Sequence, residues 1–400
     1  MMNNRSAGRT ALVAREYIVP FILVASLFFM WGGARAILDV LNKHFQLTFG
    51  INKAHSALMQ SAIYGAYFLG AVPAGTFIRR FGTRRGVVVG LSAFAIGSLL
   101  FIPVSYVMQF EVFLLPLFVI GCGLVMLETA ANPYVTLLGD PRTSAGRLNL
   151  AQSFNGLGCI MGVLLGGRFF LHDDVQAGGT EIALPYTFIG IIVLAVAFAF
   201  TRVKLPEVAQ MRRGSGGSAT GFEPMFFVGL AALVAYEIAE ISINTFFINY
   251  MSDDGFLSPK DAATLLSIGG LGLFLGGRVA GSLLMRRIAA PVMLRICAMG
   301  TIVAMALTMM PLGMVSKIAL VACFAFESIM FPTIFALSLG YAGGNTERAS
   351  SVLMLSVVGG AIGPLAMGGV SDALGNAASF AVPLAGFVVV LVFSLLSRNK

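Results

Sequence analysis

Long uninterrupted runs of apolar residues alternate along the chain with short polar breaks. A transmembrane helix needs about 20 mainly apolar residues, and these runs are too continuous for the two-residue alternation of a membrane β-barrel. The pattern therefore predicts an all-α membrane protein with twelve transmembrane helices. The predicted spans cover residues 17–42, 54–79, 86–108, 111–138, 147–171, 185–203, 222–250, 261–284, 290–310, 314–341, 348–371 and 378–397.

The composition agrees with a protein that crosses the bilayer many times. Apolar residues occupy 58% of the 400 positions, whereas Lys, Arg, Asp and Glu together occupy 11%. A soluble domain has about 45–50% apolar and about 25% charged residues. The apolar run that follows Arg15 is longer than the core of a signal peptide and contains no cleavage site, so we expect it to be the first span.

Basic residues are divided unequally between the two sets of loops. If the N-terminus is cytoplasmic, nineteen Lys and Arg residues lie on the cytoplasmic side and five on the other side. Cytoplasmic loops carry such an excess. We therefore expect both termini in the cytoplasm and the protein in a plasma membrane, the inner membrane of a bacterium. This topology explains the net charge of +8, so the charge implies no nucleic-acid partner.

The second half of the chain repeats patterns of the first half in the same order. Parallel six-helix repeats with a binding site between them describe the major facilitator fold. The sequence thus predicts two pseudo-symmetric six-helix bundles, residues 1–203 and 222–400, joined by a flexible cytoplasmic linker at 204–221. The matches, at offsets of 206, 199 and 201, pair Phe68-Leu69-Gly70 with Phe274-Leu275-Gly276, Glu128-Thr129 with Glu327-Ser328, and Gly158, Gly162 and Gly167 with Gly359, Gly363 and Gly368.

Ionisable residues inside membrane spans are costly and are functional candidates. In span one, Trp31, Arg35 and Asp39 are four residues apart and share a helix face. Asp39 is a candidate proton carrier, and the alternative is a structural ion pair with Arg35. In span four, nothing on the same helix neutralises Glu128. This isolation suits a carboxyl that gains and loses a proton, and the alternative is a permanently protonated hydrogen-bond donor.

Two further spans carry polar stripes. Gln152 and Asn155 of span five have side-chain amides that both donate and accept hydrogen bonds, as sugar hydroxyls require. Glu237, Glu240 and Asn244 form a narrow stripe on span seven that must face the protein interior. Either stripe is a candidate for substrate binding, and hydrogen bonding between helices is the alternative for both.

The remaining candidates are single residues. Glu327 is the repeat mate of Glu128 and is expected to face the same cavity. Arg278 in span eight is better explained as structural. Trp31 is the only tryptophan, and an aromatic face can stack on a sugar ring, although a place between helices is the alternative. The four cysteines occur singly, so neither a disulfide nor a metal site is predicted. No enzyme constellation is visible.

Four strings carry a family resemblance: Phe29-Met30-Trp31-Gly32, Leu127-Glu128-Thr129-Ala130-Ala131-Asn132-Pro133, Arg147-Leu148-Asn149-Leu150-Ala151-Gln152-Ser153-Phe154-Asn155 and Phe331-Pro332-Thr333-Ile334-Phe335. They resemble the fucose–galactose–glucose:proton symporter family of the major facilitator superfamily. The strings occur in the same order as in that family and extend over most of the chain. The resemblance implies that Asp39 and Glu128 couple protons to sugar. The expected substrate-binding residues are Trp31, Asn132, Gln152, Asn155, Glu240, Asn244 and Glu327.

The chain departs from the family pattern near the expected cavity. Leu38 stands where Asn is usual, Arg35 replaces a small polar residue, and Glu327 stands where Asn is common. The resemblance implies a monomeric, proton-coupled symporter that imports a monosaccharide, namely L-fucose or a related hexose, deoxy or amino sugar. The proton gradient would drive alternating access without a cofactor. An exporter of a drug or other polar metabolite on the same scaffold is the alternative.

Overall fold

The computed structural model describes residues 13, 15–138, 144–171, 179–202, 221–285, 288–343, 349 and 352–397. Within these residues, twelve helices are long and apolar enough to cross a membrane, which confirms the predicted fold class. They are α1 (Arg15–Phe49), α2 (Lys53–Ile78), α3 (Thr83–Ser105), α4 (Phe110–Asn132), α5 (Leu150–Phe170), α6 (Ile182–Arg202), α7 (Pro224–Ser252), α8 (Pro259–Gly281), α9 (Ala290–Met309), α10 (Met314–Leu339), α11 (Met354–Leu374) and α12 (Asn376–Leu396). Of the predicted linker 204–221, only Gly221 is among the described residues.

Helix α1 continues about two turns beyond the predicted span 17–42. The polar residues that interrupt the apolar pattern there have partners in the fold. The Nδ1 atom of His44 lies 2.7 Å from the main-chain oxygen of Phe170, and Gln46 donates to Asn42 at 2.6 Å. Since these groups are hydrogen-bonded, the helix extends to Phe49 before Gly50 ends it at a φ of 61°, a conformation that favours glycine.

Helices α1 and α5 cross with their backbones almost in contact. A side chain at Gly158 would overlap the main-chain oxygen of Phe29, and one at Gly162 would overlap that of Gly33. Small residues allow such an approach between membrane helices. The crossing holds the face of α5 that carries Asn155 against α1, where Asn155 donates to the main-chain oxygen of Phe28.

The same crossing recurs between α7 and α11. A Cβ atom at Gly359 would lie 2.5 Å from the main-chain oxygen of Val234, and one at Gly363 would lie 2.5 Å from that of Ile238. These glycines are the repeat mates of Gly158 and Gly162. We call α1–α6 the first half and α7–α12 the second half.

Three helices of the second half are irregular near the centre of the bundle. Helix α8 contains a π-helical stretch at Leu265–Leu271, α10 is interrupted between its segments Met314–Glu327 and Met330–Leu339, and α11 begins with a 3-10 turn at Met354–Val358. Irregular backbone in a membrane protein is tolerated where protein or a cavity surrounds it. The interruption of α10 places Glu327 at a helix break.

Ionic contacts join the two halves at one face of the bundle, where α1 ends and α2 begins; we call it the Lys53 face. Asp253, which follows α7, pairs with Lys43 and, at 2.9 Å, with Lys53. Asp372 of α11 accepts hydrogen bonds from the main-chain N–H groups of Lys53 and Ala54 at 3.1 and 2.9 Å. These contacts close the Lys53 face.

Hydrogen bonds between the halves continue from the Lys53 face toward the centre. Asn249 donates to Gln46 at 2.6 Å near that face. Deeper in the bundle, Ser61 donates to the main-chain oxygen of Ala361 at 2.8 Å. The seam therefore separates the central polar residues from the Lys53 face.

Candidate functional site

Asp39 lies where three helices from both halves meet. The residue is 9% exposed, and its Oδ1 atom accepts hydrogen bonds from Gln60 of α2 at 3.2 Å and from Thr245 of α7 at 3.4 Å. Gln60 also donates to the Thr245 hydroxyl at 3.1 Å. The carboxyl proposed to carry a proton is thus bonded directly to the opposite half of the molecule.

Glu128 has a partner within the first half. The hydroxyl of Tyr67 on α2 donates to Glu128 Oε1 at 2.9 Å. The hydrogen bond fixes the carboxyl between α2 and α4, and both of its protonation states can retain this neighbour because a phenol both donates and accepts.

Arg35 is a cation that interacts with both of these carboxyls. Its guanidinium carbon is 5.7 Å from the centroid of the Tyr64 ring, and it interacts electrostatically with Glu128, Glu237 and Asp39. Among the described residues, no carboxylate forms an ion pair with Arg35 within 4.0 Å. Arg35 therefore compensates several acids at longer range and does not form a closed pair with Asp39.

The polar stripe of α7 faces this charged centre. Glu237 is 5% exposed, while Glu240 and Asn244 are partly exposed. Glu237 interacts electrostatically with Glu240, Arg35 and Glu128. Within the described residues, Glu237 Oε2 and Asn244 Oδ1 are buried without a hydrogen-bond donor. The stripe thus offers acceptor atoms toward the first half.

Glu327 is completely buried at the break in α10. Neither of its carboxyl oxygens has a hydrogen-bond partner among the described residues. The Tyr236 hydroxyl of α7 donates to its main-chain oxygen at 3.2 Å, and its side chain interacts electrostatically with Glu240. The structure thus places Glu327 next to the α7 stripe, through Tyr236.

The first-half candidates differ in their surroundings. Trp31 is 2% exposed and packs on Phe28 with ring centroids 4.1 Å apart. Asn155 Nδ2 donates to the main-chain oxygen of Phe28 at 3.2 Å. Gln152 and Asn132 are partly exposed. In this conformation Trp31 packs within α1, and Asn155, which is partly exposed like Gln152, is hydrogen-bonded to the α1 backbone.

Sequence reasoning did not single out Gln60, Tyr67 or Thr245, which bond directly to the two candidate proton carriers. The only signal was the position of Gln60 and Tyr67 seven residues apart, two helical turns on one face of α2. Thr245 directly follows Asn244 on α7, so the sequence showed that it lies beside the predicted stripe. The sequence did not show that it contacts α1.

Comparison with known proteins links this geometry to a transporter family. A sequence model of the Major Facilitator Superfamily matches residues 21–357. The chain is 35% identical over 396 residues to a glucose/galactose transporter of Brucella abortus, covering 96% of both chains. It is 33% identical over 422 residues to the L-fucose-proton symporter of Escherichia coli K12, covering 98% of this chain and 95% of the relative.

Solved structures agree with these matches. The transporter FucP in the outward conformation superposes with a TM-score of 0.73 at 31% sequence identity, covering 96% of this chain and 100% of FucP. A bacterial homologue of the lysosomal transporter Spinster, in an inward-facing and unoccupied conformation, has a TM-score of 0.76 at 14% identity and covers 96% of this chain. This second likeness concerns the fold alone.

Proposed function

Since this chain belongs to the Major Facilitator Superfamily, we propose that it is a proton-coupled symporter that imports a monosaccharide by alternating access. It is a secondary transporter and not an enzyme. The relatives named L-fucose-proton symporter and glucose/galactose transporter support the proposal. The single observation that carries it is the buried Asp39, whose carboxylate joins α1 to Thr245 across the interface of the two halves.

The contact between Asp39 and Thr245 links protonation to conformation. An ionised carboxylate only accepts hydrogen bonds, whereas a protonated one also donates. When the halves rock apart at the Lys53 face, Asp39 loses Thr245 and one of its hydrogen bonds. A buried carboxylate with fewer donors is less stable in its charged form. Opening of this face therefore favours uptake of a proton by Asp39, and closure favours its release.

Glu128 would act as the second coupling acid. Arg35 compensates either acid when it is ionised, because its guanidinium interacts with both. Partly exposed Gln152, Asn132, Asn244 and Glu240 would bind sugar hydroxyls through donors and acceptors from both halves. Asn155, which is also partly exposed, would join them, and Trp31 and Glu327 would do so if rocking of the halves uncovers their side chains.

The protein is an integral membrane protein. We propose that the Lys53 face is external and that both termini are cytoplasmic, because nineteen of the basic residues fall on the other side in this orientation. The closed Lys53 face then means that the structure is not in an outward-facing state. We further propose a monomer in the bacterial inner membrane, driven by the proton gradient without a cofactor, with bundles at 1–203 and 222–400.

The pH of the external medium reports the uptake of sugar and of protons in a single measurement. Lightly buffered, de-energised cells that express the protein receive single sugars: L-fucose, D-galactose, D-glucose, D-arabinose or N-acetylglucosamine. Symport predicts alkalinisation of the medium with at least one sugar, and no change in cells that express Asp39→Asn. Acidification by a sugar would indicate antiport, as expected of the exporter alternative, and would contradict the proposal.

A further inference from the structure

The second half presents acceptor atoms without donors on the wall that faces the charged centre. Glu237 Oε2, Asn244 Oδ1 and both carboxyl oxygens of Glu327 are buried and have no hydrogen-bond partner among the described residues. Glu240 lies between Glu237 and Asn244 on α7 and is partly exposed. Buried polar atoms are nearly always paired, so this wall can accept hydrogen bonds from a ligand that carries donors.

Carboxyl groups outnumber cations around this wall. Electrostatic interactions connect two guanidinium groups with five carboxyl groups, which belong to Arg35 and Arg278 and to Asp39, Glu128, Glu237, Glu240 and Glu327. A proton on each proposed coupling acid, Asp39 and Glu128, leaves three carboxyl groups against two cations. Ionisation of all three would leave one excess negative charge, which is costly in this setting. A single positive charge on the ligand would balance that charge and so allow all three to ionise.

Arg278 does not remove this excess by direct pairing with Glu240. Its Nε donates to the main-chain oxygen of Ser328 at 3.1 Å, and its guanidinium lies 4.7 Å from the centroid of Phe274. In the described part of the chain it forms no ion pair within 4.0 Å. Glu240 therefore has a compensating charge only at longer range.

A primary ammonium fits the wall better than a hydroxyl or a further proton. An ammonium brings one positive charge and three donors and accepts no hydrogen bond, whereas a hydroxyl brings one donor and no charge. A further proton would neutralise one carboxylate and leave the amide oxygen of Asn244 without a donor. The aromatic rings of Tyr236 and Phe331, with centroids 6.3 Å apart, adjoin Glu327, and aromatic faces attract cations.

We propose that the sugar carried by this protein bears a protonated amine, and that Glu240, with Glu237 and Asn244, binds the ammonium group. This inference rests on the proposed sugar symport and narrows the substrate to cationic amino sugars. Glu240 is the partly exposed carboxylate of the stripe and makes first contact with the ammonium. Glu237 and Asn244 supply acceptors about one helical turn to either side of Glu240 on the same face.

Equilibrium binding of radiolabelled sugars to the purified full-length protein in nanodiscs tests the inference. The probes are D-glucose, D-glucosamine and N-acetyl-D-glucosamine, and the matching galactose series, at about pH 6, where a primary amine is protonated. We expect at least one amine to bind about tenfold or more tightly than its parent hexose and its uncharged N-acetyl derivative. A tenfold ratio corresponds to about 1.4 kcal/mol, close to the lower bound for a hydrogen bond to a charged group.

Variants test whether the preference for the amine comes from the residues of this wall. Glu240→Gln keeps the side-chain size and should reduce the amine-to-hexose ratio to about one, and Glu237→Gln serves if the first variant does not fold. Glu111→Gln is the matched control, because Glu111 is exposed and pairs only with His55, at 3.2 Å, among the described residues. It should leave the ratio unchanged.

Each of the other possible outcomes would refute a specific part of the proposal. Equal binding of amine and hexose by the wild-type protein would refute the amine and leave the proposed sugar symport intact. A preference for the amine that survives both Glu240→Gln and Glu237→Gln would refute the assigned wall. Binding of none of the six sugars would refute the inference, and the proposed symport would stand if L-fucose or D-arabinose alkalinises the medium.

Discussion

Asp253 holds the halves together at the Lys53 face, so Asp253→Asn should open that face. Burial would by itself raise the pKa of this carboxyl, but hydrogen bonds from Lys43, Asn376 and Lys53 lower the pKa from 3.8 to about 2. This difference corresponds to about 2.4 kcal/mol at about 1.4 kcal/mol per pKa unit. Since a quarter of the side chain is exposed, solvent screening reduces the figure to about 1 kcal/mol.

Loss of the Asp253 carboxylate also leaves Lys43 without its ion pair, which adds to the free-energy cost of the closed state. The side chain of Lys43 is only 9% exposed, and removal of one member of a partly buried pair leaves an uncompensated charge. We therefore expect Asp253→Asn to shift the equilibrium toward the open Lys53 face by about 1–2 kcal/mol. This shift equals a roughly five- to thirtyfold change in the ratio of open to closed molecules.

Spin labels on the two halves measure that ratio. Glu111→Cys and Lys260→Cys place the labels at exposed positions of the first and second halves near the Lys53 face, after replacement of the four native cysteines. Pulsed electron resonance should show a larger population at long separation in Asp253→Asn. The control Asp254→Asn loses an ion pair with Lys317 at 2.6 Å that lies within the second half. An unchanged distribution in Asp253→Asn, or an equal shift in Asp254→Asn, would refute the reasoning.

Two further outcomes are expected. The difference in closure of the Lys53 face between the wild-type protein and Asp253→Asn should persist from about pH 8 to about pH 5 and disappear as the pH falls from about 4 toward 2, because a lowered pKa of Asp253 stabilises the closed state only while its carboxyl is ionised. The same spin labels measure this, and a difference that is already lost at about pH 6 would contradict it. Gly158→Ala should lower the thermal unfolding temperature or prevent folding because its Cβ atom would overlap the Phe29 main chain, whereas Gly369→Ala meets nothing within 4 Å and should be tolerated. Equal melting temperatures of the two variants would refute the importance of the α1–α5 crossing.

The helices were predictable from the sequence because bilayer thickness imposes a length on every apolar run. The end of α1 was not, since Lys43, His44 and Gln46 are polar in any one-dimensional pattern. Their partners Asp253, Phe170 and Asn42 lie on other helices or another turn. A pattern of hydropathy cannot show that a polar group has a partner elsewhere in the fold.

The charged candidates were predictable because a charge inside the bilayer is rare and costly. Their neutral partners Gln60, Tyr67 and Thr245 were missed, since uncharged polar residues also occur at ordinary helix contacts. The break in α10 beside Glu327 was missed as well. Its repeat mate Glu128 lies in the uninterrupted helix Phe110–Leu137, so the internal repeat gave no warning of it.

Uphill sugar accumulation in proteoliposomes tests the coupling of sugar to protons most directly. An imposed inward proton gradient should drive the wild-type protein to concentrate its sugar, and a protonophore should abolish the accumulation. Asp39→Asn and Glu128→Gln should fail to accumulate sugar, while at least one of them still exchanges labelled for unlabelled sugar. Uphill accumulation by both variants at the wild-type level would contradict the assignment of Asp39 and Glu128 as the coupling acids.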